Sequence, residues 1–246
     1  MTAVKSRTPR LYLERDLSGV AVSLDDREAH YLGNVLRLRR GDRLVTFNGR
    51  GQERHASVRA LTRRNAELAL EGELGALPEP ALAITLVQAL PKAEAMDLIV
   101  QKCTELGVRS IVPVYSDFSV VKLDAERSAR RLQHWRRIAR SACEQCGRHT
   151  PPEITAPEAL AAFLGGRREA GARLVLEPRS ELRLTDVLPA PAAVTLLVGP
   201  EGGFSPGDLE RITAADFTPA TLGPRVLRAE TAAIAACAAA QLLWGD

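Results

Sequence analysis

The first third of the chain alternates short apolar stretches with turn residues, which is the pattern of a β-rich segment. Within residues 10–72 the stretches are Leu44–Phe47, His55–Leu61 and Ala66–Leu70. Asn48–Gly51 follows the first stretch and supplies Asn and Gly, which tolerate the positive φ of a hairpin turn. A segment with apolar residues at helical spacing, Asp25–Leu38, precedes them. This pattern predicts a compact small barrel.

A boundary follows at residues 75–80, where one glycine and two prolines separate the patterned segments. Such residues are common in the linkers between domains. We therefore predict two domains, residues 1–74 and residues 75–246.

Beyond the boundary, predicted strands alternate with predicted helices. The strands are Leu82–Leu90, Arg109–Val114, Arg173–Glu177, Ala193–Val198 and Ala220–Leu222. The helices are Lys92–Leu106, Ala125–Cys146, Pro157–Leu164, Ser205–Ala215 and Glu230–Trp244. Ser205 is predicted to cap its helix, with Pro206 as the first helical residue. The alternation predicts an α/β domain with a mostly parallel sheet and helices on both faces.

The composition limits the classes of protein that fit. The chain has 246 residues, 46% of them hydrophobic, which is enough for a substantial core. No apolar run approaches the roughly 20 residues of a transmembrane helix. Residues 1–10 are polar and lack the apolar segment of a secretory signal. The sequence therefore predicts a cytoplasmic protein with no membrane partner.

Positive charge concentrates in two regions, although the net charge is only +3. Residues 1–75 contain 14 Lys/Arg and 10 Asp/Glu, and residues 120–150 contain eight basic and three acidic residues. Clustered guanidinium groups bind polyanions. A solvated helix face has the same pattern, so the charge alone leaves both interpretations open.

The cysteines raise the question of a metal or redox site. Cys143 and Cys146 form a C-x-x-C, but the chain has no second such pair, and the nearby histidines, His134 and His149, do not complete a zinc spacing. A redox C-x-x-C is expected at a strand-to-helix turn, whereas this one ends a basic helical pattern. The sequence favours ordinary reduced thiols and predicts no metal site.

Two segments that follow predicted strands are the strongest candidates for a ligand site. Leu196–Ser205 runs from a strand through a Gly-rich turn into a capped helix, and Thr221–Thr231 carries two arginines and a glutamate before its helix. In α/β sheets, ligands bind at the carboxyl ends of strands, where glycines let backbone amides come close. Neither segment matches the P-loop or the dinucleotide fingerprint. A tight strand-to-helix turn without a ligand remains the alternative for each.

At these residues the sequence resembles the uridine-N3 methyltransferases of small-subunit ribosomal RNA (the RsmE type), members of the SPOUT superfamily. The resemblance covers essentially the whole chain. The matching motifs are Val198–Gly203, Leu222–Thr231, Gln88–Lys92, Gln101–Gly107, Glu144–Arg148, and His30 with Val35–Arg37.

The resemblance implies a PUA-like RNA-binding barrel followed by a SPOUT domain with a deep trefoil knot. It implies S-adenosylmethionine as the cofactor, bound against the two loops, and a homodimer. It implies that small-subunit ribosomal RNA is the partner, in an assembled or partly assembled subunit. The implied cofactor-binding residues are Leu176, Leu197, Gly199, Pro200, Glu201, Gly202, Leu222, Gly223, Val226 and Leu227.

The chemistry of methylation at uracil N3 points to further residues. N3 carries a proton and is a poor nucleophile until it loses it, so the enzyme must stabilise the anion that develops on the base. Arg225 and Arg228 are the candidates for that role. Glu230 is a candidate to accept the proton or to hold an arginine, although a first-turn acid that stabilises the helix dipole is an equal interpretation. Glu201 is a second candidate base.

The predicted RNA contacts are Arg7, Arg10, His30, Arg37 and Arg148. For any single arginine, contact with phosphate is more common than base reading. A hydrogen-bonded structural histidine is an equal interpretation of His30.

One position departs from the family. Many relatives have Arg where this chain has Phe118, and a neighbour such as Lys122 is a candidate substitute if that arginine contacts RNA. Three other functions stay open: a SPOUT methyltransferase with another target nucleotide, a non-catalytic factor that binds ribosomal RNA during assembly, and a nicotinamide oxidoreductase. The intact loops disfavour the second function, and the missing dinucleotide fingerprint disfavours the third.

Overall fold

The computed structural model describes residues 8–75, 78–119, 124–166, 170–187 and 190–245. The chain divides into two compact units. The first comprises Met1–Pro78 and Cys143–Thr150, and the second comprises Glu79–Ala142 and Pro151–Asp246.

The first unit is built on a five-stranded mixed sheet. Its strands are β1 (Arg10–Tyr12), β2 (Ala21–Leu24), β3 (Arg43–Phe47), β4 (Glu53–Leu61) and β5 (Ala66–Glu73). They lie in the order β1-β3-β4-β5-β2, with β1 and β3 parallel and the other pairs antiparallel. Leucines from several strands fill its core, among them Leu13, Leu44 and Leu68, which are fully buried. The predicted β-rich character is confirmed.

The predicted helix at Asp25–Leu38 is two structures. Asp25 caps α1 (Asp26–His30) in a capping box with Glu28. A π-helical turn, Tyr31–Val35, follows directly, and the Leu36 N–H donates to the Tyr31 carbonyl five residues back. Hydrophobic spacing does not distinguish an α-helix from a π-helix, because both can place apolar residues on one face.

Arg37 closes this turn in the left-handed region, with φ of 56°. The Leu38 N–H donates to the Leu32 carbonyl across it, at 3.0 Å. Non-glycine residues reach this conformation at a cost of about 1–2 kcal/mol. The surrounding core must hold the strain, and Leu32 and Leu38 on either side of it are buried.

Glu144 accepts two hydrogen bonds within the first unit. One carboxylate oxygen accepts the Tyr12 N–H at 2.9 Å, and the other accepts the Tyr31 hydroxyl at 2.7 Å. Burial raises the pKa of Glu144, while the two hydrogen bonds and the nearby Arg10 lower it less strongly. The matched Glu144–Arg148 motif therefore has a structural role within the first unit.

The second unit is built on a seven-stranded, wholly parallel sheet. Its strands are β6 (Ala83–Ala89), β7 (Ser110–Tyr115), β8 (Glu153–Ile154), β9 (Glu158–Ala159), β10 (Ala172–Leu176), β11 (Ala193–Val198) and β12 (Thr218–Ala220). The order is β12-β10-β11-β6-β7-β8, and β9 also pairs with β7. The predicted parallel α/β domain is confirmed.

Helices cover both faces of this sheet. They are α2 (Ala93–Glu105), α3 (Ala125–Cys146), α4 (Leu160–Gly165), α5 (Pro206–Ala214) and α6 (Ala229–Trp244). Along β11, Leu196 packs in the cluster with residues of α2, α3 and α6, whereas Leu197 packs in the cluster with α4 and α5. The alternation of side chains along a strand thus divides the core into two layers.

The alanines of α6 allow it to approach α2 closely. Ala233, Ala236 and Ala240 are fully buried, and the Cys237 sulfur lies 3.8 Å from that of Cys103. The hydrogen bond with the Cys237 thiol and burial in this core raise the pKa of Cys103. The small side chains therefore serve the packing of the monomer.

Two predicted elements are wrong in detail. The strand predicted at Ala220–Leu222 is Thr218–Ala220, which tolerates Pro219 because β12 is an edge strand. The helix predicted at Pro157–Leu164 begins only at Leu160, because the two residues before it pair with β7. Among the helices that the structure describes, none has the length and apolar character that a membrane span requires.

Titration of Glu144 makes stability depend on pH. Its pKa is raised in the fold, so the folded protein binds more protons than the unfolded chain between the ordinary pKa of glutamate and the raised one. Stability falls as pH rises through that mildly acidic window. We expect the Glu144→Gln variant not to lose stability in this window. Its free energy of unfolding should therefore increase relative to that of the wild type as pH rises. Urea unfolding followed by circular dichroism at several pH values measures this.

Tyr31→Phe is the matched variant, because it removes one hydrogen bond that favours the charged carboxylate. We expect Tyr31→Phe to lower the free energy of unfolding by about 1 kcal/mol. Because the pKa of Glu144 rises further without this hydrogen bond, the pH window in which stability falls should extend to higher pH. Parallel pH profiles for the wild type and Glu144→Gln would contradict this account.

Candidate functional site

A pocket lies at the carboxyl ends of β10, β11 and β12, next to the start of α6. In a parallel sheet these strand ends meet at one edge, which is where α/β proteins bind ligands. The lining residues are Leu176, Glu177, Pro178, Val198, Gly199, Pro200, Glu201, Gly203, Phe204, Ala220, Thr221, Leu222, Gly223, Arg225, Val226, Leu227, Ala229 and Ala232. The two loops predicted from the sequence therefore form one site with the exit of β10.

The turn after β11 is held tightly. The Gly203 N–H donates to the Pro200 carbonyl at 2.9 Å, and Gly203 has φ of +70°. A Cβ at Gly199 would lie 3.3 Å from both the Gly203 Cα and the Phe204 ring. Glycine at these two positions lets the chain reverse close to the pocket without displacing its wall.

Two polar side chains tie this turn to the neighbouring strand. Gln88 is fully buried, and its Nε2 donates to the carbonyls of Ala89 at 2.8 Å and Gly199 at 3.3 Å. Glu201 accepts the Lys92 N–H at 3.1 Å. This contact gives Glu201 a positioning role at the start of α2. Glu201 is also the second candidate for the base.

The loop after β12 begins with a hydroxyl-stabilised turn. The Thr221 hydroxyl accepts the Gly223 N–H at 3.1 Å and donates to the Gly223 carbonyl at 2.9 Å. Gly223 has φ of +123°, which favours glycine. Beyond it, Val226 is 84% exposed, and Leu227 is half-buried in the pocket wall.

The structure brings most of the predicted cofactor residues together. Eight of them line the pocket: Leu176, Gly199, Pro200, Glu201, Leu222, Gly223, Val226 and Leu227. Leu197 instead packs on the opposite face of the sheet, in the cluster with Val175 and Phe217. Gly202 is adjacent to lining residues and faces Phe118.

The three predicted catalytic residues have different surroundings. Arg225 is exposed and lines the pocket. Arg228 is exposed at the N-cap of α6, and Glu230 is half-buried in its first turn. Neither Arg228 nor Glu230 is among the lining residues. The dipole interpretation of Glu230 fits its place in the helix.

Sequence reasoning did not select every residue of the site. The pocket also includes Glu177, Pro178, Gly203, Phe204 and Thr221. Glu177 and Pro178 follow β10 directly, so the rule that ligands bind at the carboxyl ends of parallel strands applied to this strand as well.

The loop after β7 is bound to the start of α5. Ser205 caps the helix by accepting the Asp208 N–H at 3.0 Å, and its hydroxyl donates to Asp117 at 2.6 Å. The Asp117 N–H donates to Asp208 at 2.9 Å. Asp208 is only 2% exposed, and Arg211 compensates its charge at 3.2 Å. These contacts position the next residue, Phe118.

The predicted RNA contacts of the first unit have different degrees of exposure. Arg10 has a side chain that is 10% exposed, pairs with Glu53 at 2.5 Å and lies over the Phe47 ring, so the structure gives it an internal role. Arg148 is partly buried. His30 and Arg37 are exposed, near the π-helical turn. Arg7 and Lys122 lie outside the described residues.

Most basic residues of the helix α3 belong to the second unit. Arg127 pairs with Asp124, which directly precedes the helix, and Arg130 pairs with Glu126 within it. Both arginines are exposed. His134 lies 2.8 Å from Asp97. Exposed ion pairs of this kind contribute little to stability, so the arginines can exchange partners for a polyanion at low cost.

Comparisons with known proteins agree with this geometry. A family model for an RNA methyltransferase domain matches residues 78–241, and one for an RNA methyltransferase PUA domain matches residues 24–71. The chain is similar to the ribosomal RNA small subunit methyltransferase E of Buchnera aphidicola from Schizaphis graminum, with 34% identity over 99% of each chain. It is also 34% identical to that of Mycobacterium tuberculosis, over 93% of this chain and 88% of the relative.

Two solved structures share the fold along nearly the whole chain. The ribosomal RNA small subunit methyltransferase E of Neisseria gonorrhoeae, bound to S-adenosylmethionine, has a TM-score of 0.90 and 37% identity over 98% of this chain and 99% of that one. A methyltransferase of Legionella pneumophila in complex with the same cofactor has a TM-score of 0.93 and 36% identity, with the same coverage.

The Ser205 contacts generate a stability prediction. Ser205→Ala removes both the cap of α5 and the partner of Asp117, and we expect a loss of about 1–2 kcal/mol. Ser205→Thr keeps both hydrogen bonds and is the matched control. Chemical denaturation measures the loss, and amide hydrogen exchange at Asp117 and Asp208 should increase in the alanine variant alone. Equal stability of the two variants would contradict the role of this hydroxyl.

Proposed function

The chain belongs to the ribosomal RNA small subunit methyltransferase E family, and from that premise we propose that it methylates N3 of a uridine in small-subunit ribosomal RNA with S-adenosylmethionine as methyl donor. The observation that carries the proposal is the pocket itself. Both glycine-containing loops and an exposed arginine meet at the carboxyl ends of three parallel strands.

The residues of the pocket fit S-adenosylmethionine. Leu176, Leu222 and Leu227 offer apolar walls for an adenine ring, and the glycine turns bring backbone polar groups to the surface of the pocket. Glu177 and Glu201 bring carboxylates to a ligand that carries a sulfonium and an ammonium group. Gly203 and Gly223, whose positive φ favours glycine, add no side chain to the space between the loops.

The cofactor supplies an activated methyl group, so the protein must orient the base and manage its proton. As N3 loses its proton, negative charge spreads to the carbonyl oxygens of the uracil. The Arg225 guanidinium lines the pocket and is free to move, because its side chain is exposed. Arg225 is therefore our principal candidate for stabilising this anion.

Two carboxylates near the pocket are candidates for the base that accepts the proton. Glu230 lies in the first turn of α6, which directly follows the loop that carries Arg225. Glu201 lines the pocket, but it accepts the Lys92 N–H. In our proposal Glu230 accepts the proton, and Glu201 positions the loop.

RNA binding belongs to the first unit in this proposal. The matched PUA model, the exposure of His30 and Arg37, and the excess of basic residues in this region support it. Arg7 and Arg148 remain candidates for phosphate contacts. Arg10 is the weakest candidate, because its guanidinium already pairs with a buried carboxylate.

The higher-order features of the proposal follow from the family. We include a trefoil knot in the second unit, a homodimer, a partly assembled small subunit as substrate, and the cytoplasm as the location of that substrate. Exposed apolar side chains near the end of α6 support a subunit interface, since Leu242 is 86% and Leu243 40% exposed.

The first experiment is complementation of a gene deletion. We expect the deletion to remove one N3-methyluridine from small-subunit ribosomal RNA, as seen by mass spectrometry, and the wild-type gene to restore it. We expect Arg225→Ala to lower kcat by about 100-fold or more, while the Kd for S-adenosylmethionine changes less than about threefold. Arg109→Ala, which removes an exposed arginine outside the pocket, is the matched control.

An unchanged methylation profile in the deletion strain would overturn the proposed substrate. Tight binding of ribosomal RNA without methyl transfer would instead support the assembly-factor alternative.

Arg37 allows RNA contact to be separated from folding. Arg37→Gly relieves the left-handed strain, which offsets the entropy that glycine costs, so we expect stability within about 1 kcal/mol of the wild type. RNA affinity should fall. In a plot of the logarithm of the binding constant against the logarithm of salt concentration, the magnitude of the slope should decrease by about 1. Arg64→Gly removes the same charge from another exposed turn and should leave both unchanged. Equal effects of the two variants would rule out a specific contact at Arg37.

A further inference from the structure

Phe118 is an exposed aromatic side chain next to the pocket. It is 48% exposed, and the other exposed large hydrophobic residues among those described are all aliphatic. Only 4% of the chain is aromatic. The exposed part of the ring is available to a partner, and covering it would bury apolar surface.

The ring lies against the turn that forms the pocket wall. A Cβ built at Gly202 would lie 3.5 Å from the Phe118 Cβ and 3.8 Å from its Cδ2. Glu201 and Gly203, on either side of Gly202, both line the pocket. Because Gly202 has no side chain, the ring rests close to the backbone of this turn and at the edge of the pocket.

The backbone that carries Phe118 is held in place. Asp117 receives the Ser205 hydroxyl and donates its N–H to the buried Asp208. On the other side, the Ser119 N–H donates to the Ser116 carbonyl at 3.1 Å, and the Ser119 hydroxyl accepts the Ser116 N–H at 3.0 Å. A ring on a fixed loop loses little conformational entropy when it binds a partner.

The chemistry of the site indicates what that partner is. Methyl transfer requires an RNA base to leave its stack and to enter beside the methyl donor, which exposes both faces of the base. Proteins cover such unstacked bases with aromatic side chains. A phenylalanine at the edge of the pocket matches this need, whereas a phosphate or sugar contact would require a polar group.

We propose that Phe118 stacks on a nucleobase of the RNA substrate at the edge of the methyl-donor pocket. The inference rests on the proposed function and deepens it, by assigning a residue of the catalytic unit to the RNA.

The test compares steady-state methylation of small ribosomal subunits from a deletion strain, with radiolabelled S-adenosylmethionine as donor. Phe118→Leu keeps an apolar side chain of similar size but removes the aromatic face. We expect its kcat/KM for subunits to fall on the order of tenfold. Phe118→Trp restores the aromatic face and should recover most of the activity.

Two measurements separate stacking from a structural role. The thermal midpoint of unfolding and the Kd for S-adenosylmethionine should be the same in Phe118→Leu and in the wild type. A kcat/KM for Phe118→Leu that equals the wild-type value overturns the proposal, as does a Kd for the donor that rises by the same factor as kcat/KM falls. A wild-type protein that binds the donor but methylates no subunit overturns the proposed function and this inference together.

Discussion

Parallel pairing of the strands in the second unit is the constraint on which the site depends. Because all seven strands run in one direction, the ends of β10, β11 and β12 meet at the same edge of the sheet. The chain must turn sharply at each end to return to a helix. Gly203 after β11 and Gly223 after β12 make two of these turns possible through positive φ, and the Thr221 hydroxyl stabilises the turn after β12. The pocket is the space that these turns leave between them.

The two layers of the core keep this edge rigid. Side chains alternate along β11, so that Leu196 packs against α2, α3 and α6 while Leu197 packs against α4 and α5. Buried polar contacts then hold the loops to the layers. Gln88 joins the exits of β6 and β11, and Ser205 joins the loop after β7 to α5. These hydrogen bonds favour one arrangement of the loops, because another arrangement would take the Gln88 amide nitrogen and the Ser205 hydroxyl away from these partners.

The first unit uses the same principle for a different purpose. The carboxylate of Glu144 receives hydrogen bonds from Tyr12 and Tyr31, and the Arg10 guanidinium pairs with Glu53 beneath the surface. Glu144, which belongs to a family motif, and the pair of Arg10 and Glu53 thus help to hold the unit together. The residues left for a polyanion are those the fold exposes, such as His30 and the strained Arg37.

The sequence by itself determined the elements and the edge of the sheet where the site lies. Hydrophobic periodicity identified the parallel α/β domain, and the glycines after β11 and β12 indicated the two loops, because turn chemistry is local. Tertiary structure decided what periodicity cannot encode. Leu197 and Gly202 both lie in the predicted segment Leu196–Ser205, yet alternation across the sheet turns the Leu197 side chain to the opposite face, and a Cβ at Gly202 would meet Phe118. Likewise, the sequence gives every arginine the same charge and does not show which of them are buried. Packing places Arg10 in an internal ion pair with Glu53 and leaves Arg225 exposed at the pocket. Burial and partner choice depend on residues distant in the chain, and for that reason they could be read only from the folded structure.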